Sequence, residues 1–360
     1  MEPQPPAEDP SETTPIPAES DGDSATPTPV EMVKRYALPV IFVVAVFAMV
    51  LRPGGPGNSL LPGEGDGGTG LRGEIMGTSF EVQVVAHLDP NAEELLWQTV
   101  NQAMQSVDDS MSTYKPESEL SLLNAYVESE PFEVTPDLMT VLQAASELQV
   151  ASGGAFDHTV GPLVDRWGFG PDLTQGVPGD TEIEQLLKNV GTGQLVLNSV
   201  TRTVQKRTGT VQVDLSAIAK GHAVDKVGEG IESLGYTSWY VEIGGEIRTS
   251  GNNSQGIPWQ LGIELPVPGE RAEMMRVPMV DIALATSGDY RNQREVGGEM
   301  ISHTLDPVTG HPIDHGLASV SVLHASCMWA DGWATALNVL GVEKGLALAE
   351  TQGIRAHFVQ

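Results

Sequence analysis

Two stretches far apart in the chain carry complementary halves of one chemistry, so the fold must double back to bring them together. Residues 213–225 read VDLSAIAKGHAVD; residues 302–312 read SHTLDPVTGHP, and ADGWAT follows at 330–335. Each sets carboxylates, hydroxyls or a histidine beside tight glycine turns. Asp331 and Thr335 are four apart in a helical pattern and share a face. A carboxylate, a hydroxyl and nearby backbone carbonyls are hard oxygen ligands that suit Mg²⁺. Together the segments form an inventory for holding a divalent cation against a diphosphate.

Other signals are weaker and each has a structural alternative. His303 and Asp306 sit in a loop turned by Pro307 and Gly310, where a histidine is either a general base or a cap on the turn. His303, His311 and His315 invite zinc, but no thiolate is near and the other ligands are hard oxygens. The run GGAFD at 153–157 either brings backbone close to a ligand or only ends a helix. Tyr114 is either a stacking ring or an ordinary half-buried tyrosine. Gly244-Gly245 marks a close backbone approach or a bulge. Cys327, the single cysteine, can form no internal disulfide and reads as a buried structural thiol in a strand-to-helix turn.

Periodicity predicts helices over 92–110, from Thr135-Pro136 to Gly153-Gly154, and over 181–190, 218–234, 326–340 and 343–352. In the first, Leu95, Leu96, Val100, Ala103, Met104 and Val107 share the apolar face. Strands are expected at 80–86, 195–200, 203–206, 211–215, 239–243, 259–265, 280–285 and 318–323. Helices and strands mix without strict βαβ alternation. The expected class is therefore α+β, with mixed, largely antiparallel sheets flanked by helices. No P-loop, dinucleotide fingerprint or Gly-x-Ser-x-Gly elbow is present. A net charge of −29, from 19 basic and 48 acidic residues, repels nucleic acid, and no basic stripe offsets it.

The N-terminal region has a different character. Residues 1–31 hold no Lys or Arg, eight acidic residues and many prolines, so 1–33 reads as a disordered acidic tail. After Lys34-Arg35 come sixteen uncharged residues, 36–51, bounded by Arg52. As a helix they span about 24 Å, against a hydrocarbon core of about 30 Å. The basic n-region lies too far into the chain for a signal peptide, and no cysteine follows as lipid attachment requires. Residues 34–52 are expected to be a single-pass membrane anchor with a cytoplasmic tail. Residues 53–70, rich in Gly and Pro, form a flexible linker to the body at 71–360.

Eight motifs in order tie the body to a known family. They are MGT at 76–78; STY at 112–114; GAFD at 154–157 with TVGP at 159–162 and WGFG at 167–170; and DLS at 214–216 with Lys220-Gly221. EIGG at 242–245, TSGDYR at 286–291, Ser302-His303 with Asp306-Pro307, and Ala330-Asp331 with WAT at 333–335 complete the series. In these runs the chain resembles the ApbE family of FAD:protein FMN transferases.

The resemblance implies an ApbE-like fold. It also implies an enzyme that breaks the diphosphate of FAD, joins FMN to a Thr or Ser hydroxyl of another protein, and releases AMP. Carried over position by position, Met76, Tyr114, Ala155, Phe156, Asp157, Asp214, Lys220 and Leu305 would line the FAD site. Mg²⁺ would be held by Asp331, Thr335 and the carbonyls of Ala217 and Ala334. His303 is the candidate base, helped by Asp306, and Arg291 a candidate for steadying phosphoryl oxygens. The targets would be extracytoplasmic parts of membrane redox proteins, and the enzyme would sit in the bacterial inner membrane with its catalytic body on the periplasmic side. The alternatives are an FAD pyrophosphatase, with water as acceptor, and a flavin carrier without turnover.

Overall fold

The structure, a computed structural model, describes residue 1 and residues 68–171, 176–264, 273–288, 293–296 and 299–360. The expected tail, the anchor at 34–52 and Arg291 lie outside the described residues. Among the described residues no helix is long and apolar enough to cross a membrane. The chain divides into two units, Met1–Gly55 and Pro56–Gln360, and the fold below belongs to the second.

β1 (Thr69–Ile75) and β2 (Thr78–Val84) form a hairpin whose turn residues, Met76 and Gly77, take φ of 51° and 72°. α1 (Pro90–Met111) starts at Asp89, whose carboxylate accepts from the Asn91 and Ala92 N–H groups. There follow α2 (Glu119–Ala125), β3 (Phe132–Glu133), α3 (Pro136–Ala151), α4 (Gly161–Trp167) and α5 (Asp180–Leu186). β4 (Leu195–Asn198) and β5 (Thr203–Lys206) make a small sheet with β3. α6 (Ala219–Ser233) leads into the hairpin of β6 (Trp239–Ile243) and β7 (Glu246–Ser250). β8 (Trp259–Glu264) pairs with β9 (Glu273–Met279). β10 (Ile282–Gly288), β11 (Gln293–Val296), β12 (Glu299–Ser302) and β13 (Ser319–His324) come next. α7 (Cys327–Gln352) and β14 (Arg355–Val359) complete the order.

The main sheet has seven strands in the order β1-β2-β6-β7-β10-β13-β14. Every described pairing is antiparallel, so the α+β expectation stands but the sheets are not mixed. α6 and α7 pack on one face, and α1 packs against α6 and β1. Alternation sends Trp239, Val241 and Ile243 of β6 into that layer, where they are fully buried beside Leu96, Val100 and Met104 of α1. Each such side chain stabilises the fold by roughly 1.5–3 kcal/mol. The opposite face carries Tyr240, Ile247, Ile282 and Leu323, packed with Trp259 and Met279 of the β8–β9 ribbon.

Three local expectations are corrected. Leu95 is exposed, because the buried stripe of α1 runs through Leu96, Val100, Met104 and Val107. Residues 211–215 are not a strand: the Asn124 amide takes the ladder's role, accepting from the Val213 N–H at 2.7 Å and donating to the Val213 carbonyl at 2.8 Å. The strand expected at 280–285 begins only at Ile282, because Asp281 takes φ 51° and turns the chain between β9 and β10. The expectation of two C-terminal helices is met, because the backbone leaves helical geometry at Gly341, where φ is 71° and ψ −177°. Cys327 is buried as expected, and burial pushes its thiol pKa well above the ordinary range.

Candidate functional site

The N-terminal ends of α6 and α7 meet at one corner of the helical layer. Asp331, one turn into α7, is buried, and its Oδ2 accepts the Gly221 N–H at 3.0 Å. In an uninterrupted helix that N–H would reach back to the Ala217 carbonyl. The ladder of α6 begins a residue later instead, with His222 N–H donating to Ile218 at 3.1 Å, which leaves the Ala217 carbonyl outside it. Only glycine permits the approach. A Cβ on Gly221 would lie 2.4 Å from the Cys327 carbonyl oxygen and 2.8 Å from Asp331 Cβ.

Asp225, on α6, holds the start of α7 in place. Its carboxylate accepts from Ser326 Oγ at 2.6 Å, Cys327 N–H at 2.9 Å and Met328 N–H at 3.0 Å. Those are orphan donors of a helix N-terminus, satisfied here from a neighbouring helix. Arg248 of β7 adds an ion pair to Asp225 at 2.8 Å and lies over the Trp239 ring.

β7 turns two charged residues toward the helices. Across its hairpin Glu246 faces Ile243 and Arg248 faces Val241, so both share the core side. Arg248 meets Asp225, and Glu246 meets Lys220, with Lys220 Nζ 2.6 Å from Glu246 Oε1. Burial raises the Glu246 pKa to about 7 although Lys220 opposes the shift. Burial also raises that of Asp331, against Lys220 and the Gly221 N–H. For Lys220, burial disfavours the charge, but Glu246 and Asp331 outweigh it and the pKa rises. The turn glycine Gly244, at φ 64°, places its Cα close to Thr78 and the Lys220 stem; a Cβ there would lie 2.8 Å from Thr78 Cγ2. Lys220 and Asp331 thus line one corner with Ala217, and Met76 is half-buried against the main core.

A second corner holds Tyr114, Asp214 and His303. The Tyr114 hydroxyl donates to the Phe169 carbonyl at 3.0 Å. Phe169 in turn meets the His303 ring edge-on, with centroids 6.4 Å apart. Burial raises the Tyr114 pKa, helped by Asp214 and Asp165. Asp214 is tied to the segment before α4, its N–H donating to the His158 carbonyl at 2.9 Å.

Several predicted site residues turn their side chains inward. Ala155 and Phe156 are buried, Phe156 in the main core. Asp157 accepts from Gln149 Nε2, Thr159 N–H and Thr159 Oγ1 at 2.6–2.7 Å, so its carboxylate serves the turn. Leu305 packs with Leu163, Trp167 and Ile183. Asp306 is likewise committed, accepting from Val308 N–H at 2.9 Å and Thr309 Oγ1 at 3.1 Å. These bonds shape the turn of the loop that carries His303.

The donor set at the first corner fits a hard divalent ion: a buried carboxylate, Thr335 one turn along the same helix, and a carbonyl spared from the helix ladder. It contains a single Asp, and among the described residues no three His, Cys, Asp or Glu side chains gather as a metal cluster. Among the described residues the three histidines of the zinc alternative have separate neighbours. His303 lies against Phe169, His311 against Trp167 and His315 against Gly341. Sequence reasoning passed over Glu246 and Asp225. Strand parity was the available signal for the first, since a two-residue hairpin after an inward Ile243 turns Glu246 inward.

This fold, with its lysine and buried carboxylates at the helix N-terminal ends, is similar to that of solved flavin transferases. The flavin transferase ApbE from Vibrio cholerae superposes with a TM-score of 0.73 at 39% identity, covering 81% of this chain and 93% of that one. Two curated proteins named FAD:protein FMN transferase are similar in sequence. One, from Vibrio cholerae, is 42% identical over 285 residues, 79% of this chain and 85% of its own length. The other, from Haemophilus influenzae, is 39% identical over 298 residues, 80% of this chain and 85% of its own. The profile of the ApbE family matches residues 76–358, and the chain belongs to that family.

Proposed function

We propose that the chain is an FAD:protein FMN transferase that moves FMN from FAD to a Thr or Ser hydroxyl of a target protein, with Mg²⁺ held by Asp331, Thr335 and the carbonyls of Ala217 and Ala334. The observation that carries this reading is the Ala217 carbonyl left out of its helix beside the buried Asp331. Bound there, Mg²⁺ neutralises diphosphate charge. Lys220 adds a fixed positive charge at the same corner, which an acidic protein needs to admit an anion.

The acceptor oxygen attacks the FMN phosphorus, the P–O bond to AMP breaks, and AMP departs with the bridging oxygen. His303 takes the hydroxyl proton. Tyr114, anchored at its hydroxyl, offers a ring face for stacking. Met76, Asp214 and Leu305 line the FAD site, to which Ala155, Phe156 and Asp157 contribute backbone. Arg291 steadies the phosphoryl oxygens. The anchor at 34–52 holds the body on the periplasmic side of the bacterial inner membrane, where it meets exposed parts of membrane redox proteins.

The test incubates the full-length chain in detergent with FAD, Mg²⁺ and an acceptor domain bearing a candidate threonine. In-gel flavin fluorescence and an FMN-sized mass increase, both lost with EDTA and in Asp331→Ala, are the expected result. Free FMN and AMP without labelled protein would identify a hydrolase, and unchanged FAD would leave only a binding protein. Protease protection of inverted and right-side-out vesicles checks the orientation.

A further inference from the structure

Glu246 is the one acidic side chain of the first corner that neither the family motifs nor the proposed metal set uses. It is 97% buried, on the core side of β7, and its Oε1 lies 2.6 Å from Lys220 Nζ. Oε2 is fully enclosed and has no hydrogen-bond partner. A buried carboxylate with an unsatisfied oxygen is expensive to keep unless its charge does something. Its side-chain partner is a lysine that also acts electrostatically on Asp331. The ammonium paired with Glu246 thus belongs to the residue next to Gly221, whose N–H holds the second buried carboxylate, Asp331, at the corner where Lys220, about one-third exposed, reaches the surface.

We infer that Glu246 is a positioning residue: it draws the Lys220 ammonium away from Asp331, leaving the Asp331 carboxylate available to a divalent cation and the remaining Lys220 donors available to the ligand's phosphates. This inference rests on the flavin-transfer reading for the identity of the site. With a neutral side chain at 246, Asp331 is the remaining carboxylate for Lys220, and pairing there competes with the cation.

The test is Mn²⁺ binding by the full-length chain in detergent, followed by the loss of free-ion paramagnetic resonance signal, so neither an acceptor protein nor turnover enters. Glu246→Gln, of matching shape, is expected to weaken Mn²⁺ binding about 10- to 100-fold, the usual effect of removing a partner that orients a metal ligand. The double variant Lys220→Met/Glu246→Gln removes the competing ammonium and is expected to recover part of that loss, which a merely structural role would not produce. Wild-type Mn²⁺ affinity in Glu246→Gln, or a double variant that binds no better than the single, overturns the inference. So does loss of fold in both variants, which would make the pair structural. A wild-type chain that binds no Mn²⁺ overturns the metal reading together with this one, so the two failures are distinguishable.

Discussion

The Gly221 N–H donates to Asp331 Oδ2 at 3.0 Å, joining α6 to α7 through a backbone group and a carboxylate 110 residues apart in sequence. This bond fixes the Asp331 rotamer and takes the N–H that would otherwise engage Ala217. One glycine thereby prepares two of the four proposed oxygen ligands.

Gly221→Ala tests that relationship. Its Cβ would meet the Cys327 carbonyl oxygen at 2.4 Å, a backbone atom that can move only by shifting α7. Overpacking of this kind costs about 1–3 kcal/mol. Urea unfolding should report that loss, and flavin transfer should fall further than stability alone explains because Asp331 moves with the helix.

Asp225 carries a different burden. Asp225→Ala strips three partners from the first turn of α7 and leaves Arg248 without its carboxylate. Breaking a largely buried pair from one side is expected to destabilise by about 3–5 kcal/mol. Denaturant midpoints measure this, and a loss below about 1 kcal/mol would mean that water replaces the missing acceptor.

His158 gives the fold an acid sensitivity. Burial lowers its pKa from 6.5 to about 4, so the folded state keeps it neutral while the unfolded chain protonates it. The unfolded state then binds more protons between those values. Stability contributed by this group is full above pH 6.5 and is lost as pH falls toward 4. The slope is at most about 1.4 kcal/mol per pH unit. His158→Gln should flatten the stability profile across that window, as read by thermal melts at several pH values. His222, whose pKa burial also lowers, acts in the same sense.

His303→Ala should leave FAD affinity near the wild-type value and abolish transfer, because its proposed task is to accept a proton from the acceptor hydroxyl. Fluorescence quenching of bound FAD measures the first, and in-gel flavin fluorescence the second. Retained transfer would remove His303 from the mechanism.

Of the candidate site, the four-residue spacing of Asp331 and Thr335 was legible, and the two do share a helix face. Local geometry was legible where short-range rules act alone. Thr135 caps α3 as its position before Pro136 suggests, accepting from Leu138 N–H at 3.3 Å. Other roles depend on side-chain direction. Asp157 and Asp306 carry the residue type that binding or proton transfer needs, yet both carboxylates are engaged by their own turns. Short acidic side chains compete for nearby N–H groups wherever a turn presents them, and motif spacing does not reveal which demand wins.

By itself the sequence determined the family, the α+β class, the buried thiol and most element positions, because those follow from periodicity and motif order. Only the tertiary structure decided that Glu246 and Lys220 meet, that Asp225 caps a helix a hundred residues downstream, and that Gly221 turns its N–H to Asp331. Strand parity can turn a charge toward the core, but its partner there is chosen by how two helices and a sheet pack, through contacts distant in the chain.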